Sequence, residues 1–168
     1  MTEQPLLLFD WGDTLMRVFP AYHGPMCAWP KIETMPGARE TLAALSANFR
    51  LALATNAADS QESEIWQALQ RGGLDTLIRS VYCFQRLGCK KPSPQFFESI
   101  LRDQKTDAGQ ALLIGDDFQA DVLGANQCGL RAVWYNPLSA ETRSAAQYRT
   151  IHHLNELPAL LQDFFTTT

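Results

Sequence analysis

Leu6-Leu7-Leu8-Phe9-Asp10-Trp11-Gly12-Asp13-Thr14-Leu15 carries an apolar run into a carboxylate, a tight turn and a threonine. Four successive large apolar residues, with no polar alternation, suit a strand buried on both faces of a parallel sheet. Ligands of an open parallel sheet bind beyond the carboxyl ends of its strands, so Asp10 stands where a site is expected.

The same kind of run returns at Arg50 to Thr55, Ser80 to Phe84, Ala111 to Gly115 and Arg131 to Tyr135. Between them, Gly37 to Asn48, Asp59 to Arg71, Pro94 to Arg102 and Phe118 to Gln127 place apolar residues at helical spacing. The alternation predicts an α/β fold: a doubly wound, Rossmann-like parallel sheet with helices on both faces and right-handed crossovers. Pro36-Gly37 and Ser93-Pro94 open helices, and Gly72-Gly73 and Gly129 close them. After the last strand, Asn136-Pro137 breaks into a polar stretch, and Leu154 to Phe165 reads as a final helix.

Residues 1–168 read as a single domain with no repeat or interdomain linker, and residues 16–35 as a loop insertion overhanging the site. Phe19, Tyr22 and Trp29 in that loop have three open roles: lining the entrance, packing the loop down, or forming a self-association patch. Trp66 and Trp134 read as core, and His152-His153 as a surface pair.

The composition is that of an ordinary globular chain, with 46% apolar and 19% charged residues. A net charge of -4, with no cluster of lysines and arginines, gives nucleic acid no electrostatic footing. The start, Met1 to Pro5, lacks the features of a secretory signal, and no apolar run approaches bilayer-spanning length; the expectation is a cytoplasmic protein without membrane contact. Cys27, Cys83, Cys89 and Cys128 show no CxxC pair and read as buried, reduced thiols.

Four strand ends bring polar groups to one edge. They supply Asp10, Asp13 and Thr14; Thr55 and Asn56; Gly88-Cys89-Lys90-Lys91-Pro92; and Gly115, Asp116 and Asp117, with Asp121 just beyond. Three carboxylates in one crevice repel unless a cation sits among them, which implies a hard divalent ion. Oxygen ligands favour Mg²⁺ over zinc. A carboxylate facing a phosphoryl group can act as a nucleophile and form an aspartyl-phosphate, with Thr55, Asn56 and Lys91 at the phosphate. Asp117 also reads as a helix cap, and Lys90 as a solvated loop lysine.

In order and spacing these fragments resemble the four motifs of the haloacid dehalogenase superfamily. Asp10 to Thr14 resembles its Asp-x-Asp-x-Thr, Thr55 its strand-end Ser/Thr, Lys91-Pro92 its Lys-Pro, and Gly115 to Asp121 its Gly-Asp-Asp-x-x-x-Asp. The resemblance implies a capless phosphatase-like hydrolase with Asp10 as nucleophile. It also implies Mg²⁺ held by Asp10, Asp116, Asp121 and the backbone carbonyl at Gly12, and a phosphorylated substrate of unknown identity. Open sites in this family go with larger substrates or with lids from another subunit, so a homo-oligomer is compatible with it.

Gly12 departs from the pattern. The family's phosphatases carry an aspartate there that protonates the leaving alcohol and activates water, work worth about two to four orders of magnitude in rate. Asp13 is one substitute for that catalytic acid. A phosphonatase-like reaction is another reading, although that type has alanine at the third place and uses a cap-domain lysine, for which Lys31 is a poor replacement. The family's dehalogenases also lack the acid but run without the metal cluster. A weak enzyme, or a scaffold binding phosphate or a partner, completes the alternatives.

Overall fold

The computed structural model describes residues 3–165, so the first two residues of the Met1 to Pro5 stretch lie outside the described residues. Six parallel strands form one sheet: β1 (Leu6–Phe9), β2 (Arg50–Ala54), β3 (Ser80–Tyr82), β4 (Ala111–Gly115), β5 (Arg131–Tyr135) and β6 (Tyr148–Ile151). Their order is β3-β2-β1-β4-β5-β6, so the chain winds outward from β1 and then returns to begin again at β4. The crevice between β1 and β4 is the switch point at which such sheets bind ligands. Asp10 and Asp116 lie immediately beyond the two strands that flank it.

Side chains alternate across β1. Leu7 and Phe9 enter a core shared with α1 (Ala38–Leu45), α2 (Glu62–Gly72) and α6 (Leu157–Phe165). Leu6 and Leu8 enter a second core with α4 (Pro94–Gln104) and α5 (Gly124–Gln127). Burial on both faces explains why this strand shows no polar alternation.

Three local features differ from the expectations. The third strand stops at Tyr82, and Phe84 begins a short helix, α3 (Phe84–Leu87), where it is 43% exposed. The span expected as one helix from Phe118 opens as a π-helical turn, Phe118–Leu123, before α5. The sixth strand falls within the polar stretch: an edge strand pairs on one side only, through its backbone, and needs no apolar run.

The 16–35 segment is tied down. Met16 bridges Thr34, Arg17 N donates to Glu33 O at 2.8 Å, and Met35 N donates to Leu15 O at 2.8 Å. Phe19, Tyr22 and Trp29 form a tilted and edge-to-face cluster, and Arg71 Nη1 donates to the carbonyls of Cys27 and Trp29. These rings pack the segment down, while Met26 and Trp29 continue into the core.

All four cysteines are free, but only Cys83 is buried, packed into the first core just past β3; Cys27, Cys89 and Cys128 are half-buried. Trp134 is in the second core, and the half-buried Trp66 packs against the first. The ring Nδ1 of His152 is 2.8 Å from Asn136 O. No helix among the described residues is long and apolar enough to cross a membrane.

Gly124 lets the loop after α3 press against α5. A Cβ there would lie 2.8 Å from Pro92 Cβ and 3.2 Å from Phe97 Cε2. Gly124→Ala should therefore destabilise the fold by about 1–3 kcal/mol through overpacking. Urea unfolding with an unchanged midpoint would show that the contact is not needed.

Candidate active site

Lys91 holds the site together. Its ammonium is buried and donates to Asp10 Oδ1 at 2.9 Å, Asp121 Oδ1 at 2.7 Å and the Ala54 carbonyl at 2.6 Å. Burial by itself would push the lysine towards neutrality, but the charges of Asp10 and Asp121 outweigh it and hold the ammonium above its ordinary range.

The loop carrying Lys91 is fixed by Asn56, just past β2. Asn56 Nδ2 donates to Lys91 O at 2.9 Å, and Asn56 Oδ1 accepts from Lys91 N at 2.8 Å. Asn56, expected at the phosphate, uses its amide oxygen and one of its two amide protons for this clamp. Thr55 is buried at the end of β2, and its Oγ1 accepts from Ala57 N at 3.0 Å, which leaves the hydroxyl proton for an oxygen in the crevice.

The acids come from two strand ends and the π-helical turn. Asp10, Asp116 and Asp121 each offer an oxygen within 4.8 Å of the others. Thr14 Oγ1 lies 3.3 Å from Asp10 Oδ2 and 3.2 Å from Asp116 Oδ1, between the two strand ends. Asp117 caps the turn by accepting from Gln119 N and Ala120 N, and its own N–H donates to Asp121 Oδ2 at 3.1 Å. Gly115 must lack a side chain, since a Cβ there would fall 2.1 Å from Asp121 Oδ2. A π turn at this place aims Asp121 back onto β4, in keeping with the frequency of such turns at functional sites.

Three carboxylates around one ammonium leave an excess of two negative charges. Burial raises Asp116 to about 8, with the neighbouring Asp10 and Asp121 adding to it. Burial also raises Asp121 to about 7, and the charge of Asp10 works in the same direction against Lys91. A hard divalent cation with all-oxygen ligands fits this donor set in both charge and chemistry.

Gly12 and Asp13 occupy the turn after Asp10. Asp13 adopts a left-handed backbone, φ 58°, and its Oδ1 accepts from Val18 N at 2.9 Å. It lines a depression with Arg17, Asp116 and Tyr135, separate from the larger cavity beside Asp10. Val18 fills the space beside Gly12: a Cβ on Gly12 would lie 2.9 Å from Val18 Cγ2. Sequence reasoning missed Val18 because nothing local marks an isolated valine in an irregular loop. It also missed the clamping role of Asn56, which depends on a partner 35 residues away.

The family model for haloacid dehalogenase-like hydrolases matches residues 10–135. A glyceraldehyde 3-phosphate phosphatase of Pyrococcus abyssi is 32% identical over 116 residues, 68% of this chain and 47% of that protein. The chain spans about half the length of the first curated relatives it matches. A solved protein of Listeria monocytogenes serotype 4b superposes with TM-score 0.85 and 26% identity, covering 96% of this chain and 99% of its own. The putative HAD-hydrolase YfnB of Bacillus subtilis, solved bound to magnesium, gives TM-score 0.68 and 25% identity over 77% of this chain and 56% of its own.

The raised acids set a pH dependence. Native Asp116 and Asp121 keep protons that the unfolded chain has released above about pH 4, so they lower stability as pH rises from there to about 8. Lys91, raised in the folded state, contributes stability that is present across this window and is lost only at alkaline pH. A divalent ion competes with the protons on the acids. Mg²⁺ should therefore raise the melting temperature more near pH 8 than near pH 5.5, relative to chelator at the same pH. An equal or larger rise near pH 5.5 would remove these acids as the ligands.

Proposed function

Because the chain belongs to the haloacid dehalogenase-like hydrolases, we propose that it is a Mg²⁺-dependent phosphatase working through an aspartyl-phosphate on Asp10. The carrying observation is the Lys91 ammonium bound to Asp10 and Asp121, two members of a carboxylate trio that Asp116 completes. The phosphatase activity of the Pyrococcus relative and the magnesium in the Bacillus structure support the same reading.

Asp10, Asp116 and Asp121, with the Gly12 carbonyl, would hold Mg²⁺, which when bound neutralises phosphoryl charge and lines up the phosphate. The Asp10 carboxylate attacks phosphorus, and the bond to the leaving oxygen breaks with its electron pair on that oxygen. Asp10 is pre-aimed, since Lys91 holds one of its oxygens and Thr14 faces the other. The charge of Lys91, whose three protons are held by Asp10, Asp121 and the Ala54 carbonyl, and the hydroxyl proton of Thr55 stabilise the charge gathering on the equatorial oxygens. Water then adds to the phosphorus, giving inorganic phosphate, restoring the carboxylate and losing a proton to solvent.

Gly12 offers no proton to the leaving group and no base to that water. Both half-reactions therefore lose general acid–base assistance on this reading. Phosphate binding without turnover is a second reading, favoured by the Val18 methyl packed where the family's acid would project.

Beryllium fluoride with Mg²⁺ should form an acyl-phosphate mimic on Asp10, seen by fluorine NMR, and Asp10→Asn should lose both the mimic and turnover. Turnover that persists in Asp10→Asn would remove the covalent mechanism. A trapped mimic with no turnover on any phosphate ester would instead establish the binding reading.

Gly12→Asp alone should raise activity less than about tenfold, because its Cβ meets Val18. Paired with Val18→Ala, it should recover about two or more orders of magnitude on alkyl phosphates. No gain in the pair would show that room at Val18 is not what keeps an acid from working there.

A further inference from the structure

The cavity beside Asp10 has a volume of about 420 Å³, within the range of small-molecule sites. Asp10 and Thr55 line it together with the apolar side chains of Trp11, Val18, Met26 and Trp29, and Asn56, Asp59 and Ser60 complete its lining with polar groups. Among the described residues, no lysine, arginine or histidine lines it. A phosphoryl group set against Asp10 and Thr55 must send its leaving group into this space. Anionic leaving groups would find no counter-charge there, whereas a flat apolar one would bury its faces on indole and thioether surfaces.

The turn at Gly12 makes an independent demand. With Val18 in the place of a proton donor, the leaving oxygen departs as an anion, and a phenol, ionising near 10, does so far more readily than an alcohol. Cavity wall and missing acid ask for the same chemistry.

We propose that the cavity walled by Trp11, Val18, Met26 and Trp29 is a leaving-group site for aryl phosphate monoesters, with Val18 and Trp29 determining that specificity. It rests on the phosphatase reading for its catalytic consequence. Asp10 attacks phosphorus, the bond from phosphorus to the aryl oxygen breaks with its electron pair on that oxygen, and the phenoxide takes its proton from water. The 16–35 segment, held by Arg71 and by its own aromatic cluster, supplies three of the four walls.

Phosphonates test the site without turnover. Calorimetric titration of the Mg²⁺-loaded full chain with benzylphosphonate, shaped like phenyl phosphate, should give at least about tenfold tighter binding than ethylphosphonate. Trp29→Ala should bring the two within about threefold, and the more exposed Val18→Ser, which spares the core, should cut the preference by about half or more. Equal affinities in the unaltered chain, no binding of either compound, or a preference that survives both variants would overturn the assignment. A preference for benzylphosphonate with no aspartyl-phosphate and no turnover would uphold the cavity and overturn the phosphatase reading alone.

Discussion

A buried ammonium draws the ends of three strands into one site. Lys91 arrives on the loop after β3, yet it bonds to the acid after β1, to the last carbonyl of β2 and to the acid beyond β4. Removing a charge from water costs several kcal/mol, and only close, fully bonded counter-charges offset that. The surrounding residues serve this requirement. Asn56 fixes the lysine's backbone, Gly115 leaves room for Asp121, and Gly124 lets Pro92 press against α5. The same contacts that satisfy the lysine also aim Asp10 into the crevice.

Electrostatics at this centre are left unbalanced by the protein alone. One cation cannot neutralise three carboxylates, so two of the acids are driven towards protonation. A structure built only for stability would replace such a cluster with apolar side chains. Its retention at the switch point of a parallel sheet is intelligible as a place for a divalent ion and an anionic ligand.

The turn after Asp10 is filled by its own residues. The Asp13 carboxylate is occupied by Val18 N–H, and Val18 in turn occupies the space beside Gly12. One short stretch thereby sets the apolar surface of a side chain beside Asp10 in the cavity. The following segment, stapled to α2 through Arg71, extends that surface over the mouth of the site.

Much of this was legible in the amino-acid sequence. Residues 6–9 announce a doubly buried strand because no polar alternation interrupts them, and the ordered fragments around Asp10, Thr55, Lys91 and Asp116 place the crevice and its acids. Local pattern suffices there, since strand burial and strand-end chemistry are both written within a few neighbouring residues. The edge strand Tyr148–Ile151 was not legible, because backbone pairing on one side leaves little trace in side-chain type. Nor were the engagement of Asn56 with Lys91, the π turn that aims Asp121, or the contact of Val18 with Gly12. Each of these depends on which groups approach through space and on how a backbone donor or a few cubic ångströms are shared. Tertiary packing decides that, and the order of residues alone does not.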